Sequence, residues 1–253
     1  MKLGKTYAVS GKGGVGKTTL AALMVTHLGR RGTVLAIDAD PNATLNEALG
    51  IPLGQTLGGL REDMREDSDN IPGGMTKTEY VKYQLQLALV EGDRFDFLAM
   101  GRQEGPGCYC YVNNLLRTFM DGLADKYDHV VMDNEAGMEH LSRRTTRDVD
   151  RLFVVSDATR MGIITATRIV KLAEEMDLNI KSYALIVNRV GDSFAKTYLP
   201  QHPFENVEFV PNDAAIERLS LQGTPVAKAP ADSKALKAVG QILDNASNWQ
   251  KSN

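Results

Sequence analysis

The stretch that decides the fold reads Gly11-Lys12-Gly13-Gly14-Val15-Gly16-Lys17-Thr18-Thr19. It fits the pattern Gly-x-x-x-x-Gly-Lys-Thr and lies between an apolar run at residues 7–9 and a predicted helix over residues 17–31. In this context the glycines let backbone N–H groups turn toward phosphates, and the helix N-terminus adds its positive end. We expect Lys17 to reach the β- and γ-phosphates and the Thr18 hydroxyl to bind Mg²⁺. The stretch therefore predicts the phosphate loop of a nucleotide hydrolase.

Around this loop, short apolar runs alternate with longer amphipathic ones, as in repeated βα units. The predicted strands cover residues 7–9, 34–37, 95–100, 129–132, 152–155, 184–187 and 207–210. The predicted helices cover residues 17–31, 78–90, 112–126, 163–176, 213–221 and 233–249, and residues 50–76 are expected to be irregular with at most one short helix. The pattern predicts an α/β fold with a single, doubly wound, mostly parallel sheet flanked by helices, in one domain over residues 1–253.

The composition argues against several kinds of partner. The net charge is −3, so no global electrostatic attraction toward nucleic acid or an anionic membrane is expected. No signal segment precedes the loop, and no stretch approaches the ~18 apolar residues of a membrane span. We therefore expect a cytoplasmic protein without a nucleic-acid or membrane partner. The C-terminal helix over residues 233–249 is expected to pack on the domain, because a membrane-targeting helix would favour a strongly basic polar face.

Acidic residues follow two of the predicted strands, at the sheet edge where ligands bind in such folds. Asp38 and Asp40 follow one buried strand, just before Pro41, and Asp133 follows another. Carboxylates in these positions can help hold Mg²⁺ and orient an attacking water. A plain turn-forming role before Pro41 is the alternative for the first pair. Gly137 suits a backbone segment that approaches the γ-phosphate.

The chain has two cysteines, Cys108 and Cys110, separated by one residue. A disulfide between them would require strained geometry. Both sulfurs can bind a single soft metal ion, but tetrahedral thiolate sites usually have four ligands. A symmetric dimer would supply the other two across its two-fold axis. Buried free cysteines, or reactive thiols without a metal, remain the alternatives.

Lys12 places a second lysine in the phosphate loop, and Lys-Gly-Gly-Val-Gly-Lys-Thr resembles the deviant Walker A family, which includes MinD, ParA and the nitrogenase iron protein. The resemblance implies that Lys12 crosses a nucleotide-sandwich dimer and touches the partner's phosphates. It also implies ATP as the nucleotide, Asp40 as the hydrolytic residue and Asp38 nearer the water shell of the metal. The family commonly has Thr-Pro after the acidic residue that corresponds to Asp133, whereas this chain has Asn134-Glu135.

The same resemblance implies a base-reading role for Asn188 and for Pro211-Asn212-Asp213, although both sequences are also ordinary strand terminators. The expected catalytic residues are Lys12, Lys17 and Asp40. The residues expected to bind ATP or ADP with Mg²⁺ are Gly13, Gly14, Val15, Gly16, Lys17, Thr18, Thr19, Asp38, Asp133, Gly137, Asn188, Pro211 and Asp213.

A narrower resemblance combines the loop, the Asp-x-Asp-Pro sequence, the Cys-x-Cys pair after a strand ending in Met-Gly, and Val-Val-Met-Asp-x-x-Ala-Gly-x-Glu-His-Leu. These features resemble the CooC-type maturation ATPases of carbon monoxide dehydrogenase over most of the chain, most weakly over residues 50–90. The resemblance implies an ATP-driven homodimer that delivers nickel to carbon monoxide dehydrogenase or acetyl-CoA synthase. It also implies that Cys108 and Cys110 bind Ni²⁺ or Zn²⁺ across the dimer.

Two other functions remain open. One is a ParA- or MinD-like positioning ATPase that acts on DNA or membrane. A basic cluster could contact the phosphates of such a partner, and the alternative is that the cluster is a solvated or salt-bridged face. The members of the cluster are Arg143, Arg144, Arg147 and Arg151. The other is an electron-transfer protein like the nitrogenase iron protein, with an iron–sulfur cluster between two chains. That relative uses widely separated cysteines, whereas both cysteines lie in one short loop here.

Overall fold

The computed structural model describes residues 4–66, 73–102, 118–119, 122–135, 148–191, 194 and 199–246. Its strands are β1 (Lys5–Gly11), β2 (Val34–Ala39), β3 (Val90–Glu91), β4 (Asp96–Ala99), β5 (His129–Asn134), β6 (Asp148–Val149), β7 (Arg151–Ser156), β8 (Asn179–Ile180), β9 (Tyr183–Val190) and β10 (Asn206–Pro211). Its helices are α1 (Lys17–Leu28), α2 (Leu45–Leu49), α3 (Leu57–Glu66), α4 (Lys77–Leu87), α5 (Arg160–Glu175), α6 (Ala214–Leu221) and α7 (Lys234–Asn245), with a 3₁₀ turn at Val226–Lys228.

The main sheet has eight strands in the order β10-β9-β7-β1-β5-β2-β4-β3. Every neighbouring pair is parallel except β3 with β4 at one edge. The chain leaves β1 toward β2 and β4 on one side, and later fills the other side with β7, β9 and β10. The phosphate loop after β1 therefore lies at the point where the strand order reverses, which is where ligands bind in open α/β sheets.

Helices cover both faces of the sheet, which confirms the predicted doubly wound architecture. Side chains alternate across β1, so that Tyr7 and Val9 pack in the core beneath α1 and α7. Ala8, between them, packs in the opposite core with residues of α3, α4 and α5. Central strands such as β2 and β7 are buried along their whole length, which is why their sequences are almost continuously apolar.

Helix α7 packs against α1 through its apolar face, whose members Leu236, Val239, Ile242 and Leu243 belong to the core beneath α1. The close approach depends on Gly240, because a Cβ atom there would lie 2.6 Å from the His27 ring. Arg31 and Asp244 form an ion pair across the far end of the same contact. No helix in the described part of the chain is long and apolar enough to cross a membrane.

The structure differs from the predicted elements mainly at their ends. The helix predicted over residues 78–90 begins at Lys77, where Thr76 and Glu79 form a capping box, and it ends at Leu87. Val90 belongs instead to the edge strand β3. The segment over residues 50–76, expected to be irregular with one short helix, contains the ten-residue helix α3. Of the predicted helix over residues 112–126, residues 112–117 and 120–121 lie outside the described residues, and residues 118–119 and 122–124 are helical. A separate two-stranded sheet pairs β6 with β8, so the main sheet is not the only one.

Candidate active site

The phosphate loop connects β1 to α1, and at two of its positions the backbone accommodates only glycine. A Cβ atom on Gly11 would lie 2.3 Å from the Val155 carbonyl oxygen of the neighbouring strand. Gly16 has a φ of 93°, in the left-handed region that favours glycine, and α1 begins directly after it. The loop therefore meets the N-terminus of a long helix, the arrangement that binds phosphate.

The two loop lysines have different environments. The Lys17 ammonium donates a hydrogen bond to the Lys12 carbonyl oxygen at 3.3 Å, so its side chain folds back over the loop. The Lys12 side chain is exposed at the surface of this chain. An exposed cation beside the phosphate loop is available to a second molecule that approaches this face.

Asn188, the predicted base-reading residue at the end of β9, also supports the loop. Its Nδ2 group donates a hydrogen bond to the Val15 carbonyl oxygen at 2.8 Å. A Cβ atom on Gly16 would lie 2.6 Å from the same nitrogen, so the amide packs directly under the turn into α1. Asn188 thus joins the phosphate loop to the cavity described below.

Three carboxylates gather at the ends of β2 and β5. Asp38 and Asp133 are neighbours in the register of these strands, and both are almost fully buried. Burial raises the pKa of Asp133 to about 7; the Thr18 hydroxyl and Lys17 oppose this rise, and the charges of Asp38 and Asp40 reinforce it. The structure thus brings together the three carboxylates predicted near the metal, Asp38, Asp40 and Asp133, so that their charges affect one another.

Asp38 organises the turn that carries Asp40. Its Oδ1 accepts a hydrogen bond from the Asp40 N–H at 3.0 Å, and its Oδ2 accepts one from the Leu45 N–H at 2.8 Å. Burial raises the pKa of Asp38, although these N–H groups favour the ionised form. Half-buried Asp40 in turn accepts a hydrogen bond from the Asn42 N–H at 2.9 Å. Asp38 therefore has a structural role in addition to any role near the metal.

The site fits a Mg²⁺ ion. Neither Asp133 oxygen has a hydrogen-bond partner of good geometry among the described residues, although the Thr18 hydroxyl is close enough to lower its pKa. A buried carboxylate rarely lacks such partners unless an ion or water satisfies it. No cluster of three or more His, Cys, Asp or Glu side chains suited to a metal occurs within the described ranges. Mg²⁺ suits this arrangement because it uses few protein ligands and completes its shell with phosphate oxygens and water.

A cavity of about 390 Å³ opens beside the loop, between the start of α1 and the end of β10. Its lining combines predicted nucleotide-binding residues with an apolar rim: Thr19, Leu20, Leu23, Asn188, Arg189, Val210, Pro211, Asn212, Asp213, Ile216, Glu217, Ser220, Leu221 and Ala235. The cavity is large enough for a nucleoside, and its position next to Thr19 would continue a nucleotide from the phosphates to the base.

Asp213 lines this cavity but is fully engaged with the protein. Its Oδ1 accepts a hydrogen bond from the Ala215 N–H at 2.8 Å, and its Oδ2 accepts bonds from the Ser233 hydroxyl at 2.7 Å and the Ala235 N–H at 2.9 Å. Burial alone would raise the pKa of Asp213, but these hydrogen bonds lower it. Asp213 therefore holds the N-termini of α6 and α7 together at the edge of the cavity.

Two residues of the site were missed by the sequence reasoning. Asn134 follows Asp133 and is buried, and its Nδ2 donates to the Val9 carbonyl oxygen at 3.0 Å, which ties β5 to β1 under the loop. This contact gives a physical role to the residue that departs from the usual Thr. Arg189 reaches the loop with its guanidinium group. Its sequence signal was its position directly after Asn188.

Part of the predicted site lies outside the described residues. This applies to Gly137, to the metal-binding candidates Cys108 and Cys110, and to Arg143, Arg144 and Arg147 of the proposed basic cluster. For Arg151, the fourth member of that cluster, the prediction of an exposed basic residue is wrong. Arg151 is buried at the start of β7, and burial lowers its pKa, so it does not belong to an exposed basic face.

Comparisons with known proteins show the family to which the chain belongs. Residues 7–226 match the family model described as CbiA: CobQ/CobB/MinD/ParA nucleotide binding domain. An uncharacterized ATP-binding protein of Methanocaldococcus jannaschii is 40% identical over 247 residues, which are 95% of this chain and 98% of that protein. The carbon monoxide dehydrogenase accessory protein CooC of Rhodospirillum rubrum is 30% identical over 230 residues, which are 85% of this chain and 87% of that protein.

A solved structure has the same fold. The septum site-determining protein MinD of Pyrococcus horikoshii, complexed with Mg-ADP, has a TM-score of 0.64 at 20% identity, with 96% of this chain and 97% of that chain covered. The fold and the loop define a P-loop nucleotide hydrolase. The chain belongs to the CobQ/CobB/MinD/ParA nucleotide-binding family, and it is an ATPase.

Proposed function

We propose that this ATPase is an accessory protein for metallocentre maturation, which couples ATP-dependent dimerisation to the binding and delivery of nickel. The client is carbon monoxide dehydrogenase or acetyl-CoA synthase. The observation that carries the proposal is the pair Cys108 and Cys110 in a chain that is similar to a carbon monoxide dehydrogenase accessory protein over 85% of its length.

The two cysteines suit a cargo ion that prefers thiolates. Each chain contributes two sulfurs that are one residue apart in sequence, and a symmetric dimer brings four together, which is a common number for a thiolate site. Ni²⁺ and Zn²⁺ both accept such ligands. Because the site is complete only in the dimer, any change in dimer geometry alters how tightly the ion is held.

ATP supplies that change in geometry. Lys17 neutralises charge on the β- and γ-phosphates of ATP, while Thr18 and Asp133 would hold the Mg²⁺ that balances the remaining charge. Asp40 orients the attacking water, and the exposed Lys12 reaches the phosphates bound to the partner chain. Hydrolysis removes the contact between Lys12 and the γ-phosphate, so the dimer loosens and the metal becomes available to the client.

Metal content is the direct test. The protein is purified anaerobically, loaded with Ni²⁺ or Zn²⁺, and measured for metal per chain and for mass with and without ATP. We expect one ion per dimer in the parent and none in Cys108→Ser/Cys110→Ser. A matched control, Ser220→Ala at the base cavity, should keep the ion. Equal metal binding by the double serine variant would contradict the proposal.

A positioning ATPase of the ParA or MinD type is the second candidate. The observation that favours it is the run of arginines at Arg143, Arg144 and Arg147, which could contact DNA phosphates. Retardation of duplex DNA in the presence of ATP, weakening steeply as salt increases, would support this role. The net charge of −3 argues against it, since non-specific DNA binding relies on excess positive charge.

A further inference from the structure

A second cavity, of about 290 Å³, lies between the C-terminal end of α1 and the outer side of α7. Its lining includes His27 and Arg30 from the α1 side, and Lys237, Gly240, Gln241 and Asp244 from α7. Because α1 is twelve residues long, its last turn lies about 18 Å from the phosphate loop that precedes its first turn. This cavity is therefore separate from the nucleotide site.

The lining residues of α7 lie on one side of that helix. Lys237 and Gln241 are four positions apart, and so are Gly240 and Asp244, a spacing that places side chains next to each other on a helix. Gly240 lets the His27 ring approach closely, since a Cβ atom there would lie 2.6 Å from the ring. The exposed side chains of Lys237 and Arg30 line the same space from the two helices.

The carboxylate in this cavity is already neutralised. Arg31 donates hydrogen bonds to both oxygens of Asp244, one of them at 3.1 Å to Oδ2, and this pairing lowers the pKa of Asp244. Burial, followed by the charge of Arg31, lowers the pKa of His27, so its ring is neutral near neutral pH. Arg30 and Lys237 remain as cations without an ion-pair partner within the described ranges.

Helix stability accounts for one of these cations but not for both. A basic residue just after the C-terminus of α1 interacts favourably with the helix dipole, which explains Arg30. Lys237 follows the first turn of α7, where the dipole offers a cation no stabilisation. Two cations that line one cavity repel each other, and an anion between them removes that repulsion. The local excess of positive charge also contrasts with the net charge of −3.

We propose that the cavity between α1 and α7 is a phosphate-binding site, in which Arg30 and Lys237 bind a phosphate dianion and Gln241 donates a further hydrogen bond. A guanidinium group matches phosphate oxygens in pairs, and an ammonium group adds a compact charge. The volume of about 290 Å³ also accommodates a short organic group attached to the phosphate. Inorganic phosphate and small phosphate monoesters therefore share the chemistry that this site recognises. A bound phosphate would join α1 to α7.

The test uses the full chain saturated with Mg²⁺-ADP, so that the phosphate loop is occupied. Inorganic phosphate or glycerol phosphate is titrated by calorimetry at constant ionic strength, because salt screens exposed charges. We expect Arg30→Gln and Lys237→Gln each to weaken phosphate binding about fivefold, the upper range for an exposed charge pair, and the double variant to lose it. Arg168→Gln/Lys171→Gln, which removes two exposed charges from α5, is the matched control and should bind phosphate as the parent does.

Both substituted side chains are exposed and far from the phosphate loop, so the double variant should keep the melting temperature and the ADP affinity of the parent. Tighter binding of glycerol phosphate than of inorganic phosphate would assign the site to a monoester, and the reverse order would assign it to the free ion. Equal phosphate binding by parent and double variant would overturn the proposal, as would a parent that binds phosphate no better than chloride. Neither result bears on the metal that the cysteines bind.

Discussion

At the scale of single residues, the burial of Asp133 lowers the stability of the free protein at neutral pH, and we propose that this carboxylate binds a cation. Its folded pKa of about 7 exceeds the ordinary value of 3.8, so the native state binds the proton more tightly than the unfolded chain. The contribution of this group to the free energy of unfolding is therefore greatest below the ordinary pKa and is lost as the pH rises toward about 7.

We predict that Asp133→Asn stabilises the protein when Mg²⁺ and nucleotide are absent, while it lowers ATP hydrolysis about a hundredfold or more. The amide cannot ionise, so the gain in free energy of unfolding should be about 2–4 kcal/mol near pH 8 and about half that or less near pH 5. Denaturant unfolding at both pH values measures it. Asp93→Asn, at an exposed position, should show no gain. A destabilised Asp133→Asn protein at the higher pH would contradict this account.

At the scale of secondary-structure elements, Asp213 connects α6 and α7 at the edge of the cavity. It caps α6 through Ala215 and binds the first turn of α7 through Ser233 and Ala235. We predict that Asp213→Ala lowers the free energy of unfolding by about 2–4 kcal/mol, because two helix N-termini lose a charged acceptor. It should also weaken ADP binding, since the cavity wall loses its support.

The pH dependence and a control separate this role from a general loss of charge. Hydrogen bonds lower the pKa of Asp213, so its contribution exists above the ordinary carboxyl pKa and disappears as the pH falls through the lowered value. The difference between parent and Asp213→Ala should therefore shrink in strong acid, as followed by circular dichroism during denaturant unfolding. Asp232→Ala, on the exposed turn before α7, should be nearly neutral. Equal destabilisation by both variants would argue against the proposed link.

The elements also show what the sequence could and could not predict. The apolar run of β2 and the glycine pattern before α1 are local signals, so the strand, the loop and the doubly wound sheet could all be predicted. The capping box formed by Thr76 and Glu79, three residues apart, is also a local signal, and it marks the start of α4. The bulge at Arg189 depends on the register between β9 and β10, and that register is set by packing rather than by local sequence. The contact between Asp213 and Ser233 joins residues twenty positions apart, which no periodicity reveals.

At the scale of the whole molecule, we propose that the exposed side chain of Lys12 acts only when a second chain covers the phosphate loop. We predict that Lys12→Gln loses ATP-dependent dimerisation and that its ATP hydrolysis falls by about 10³-fold, the lower range for a charge supplied from a partner. Binding of Mg²⁺-ADP to the single chain should change little, because Lys17 and the loop backbone remain. Sedimentation velocity with and without ATP, together with phosphate release, measures both effects.

Lys171→Gln, at an exposed position of α5, is the matched control, and it should dimerise and hydrolyse ATP as the parent does.

The same pair of variants tests the connection between nucleotide and metal. If the two cysteines of each chain share one ion across the dimer, ATP and metal favour the same assembly, and each must strengthen the binding of the other by the same factor. Lys12→Gln should therefore lose the ATP-dependent increase in Ni²⁺ affinity while keeping both cysteines. A Lys12→Gln protein that dimerises and hydrolyses ATP normally would rule out a contact across the dimer.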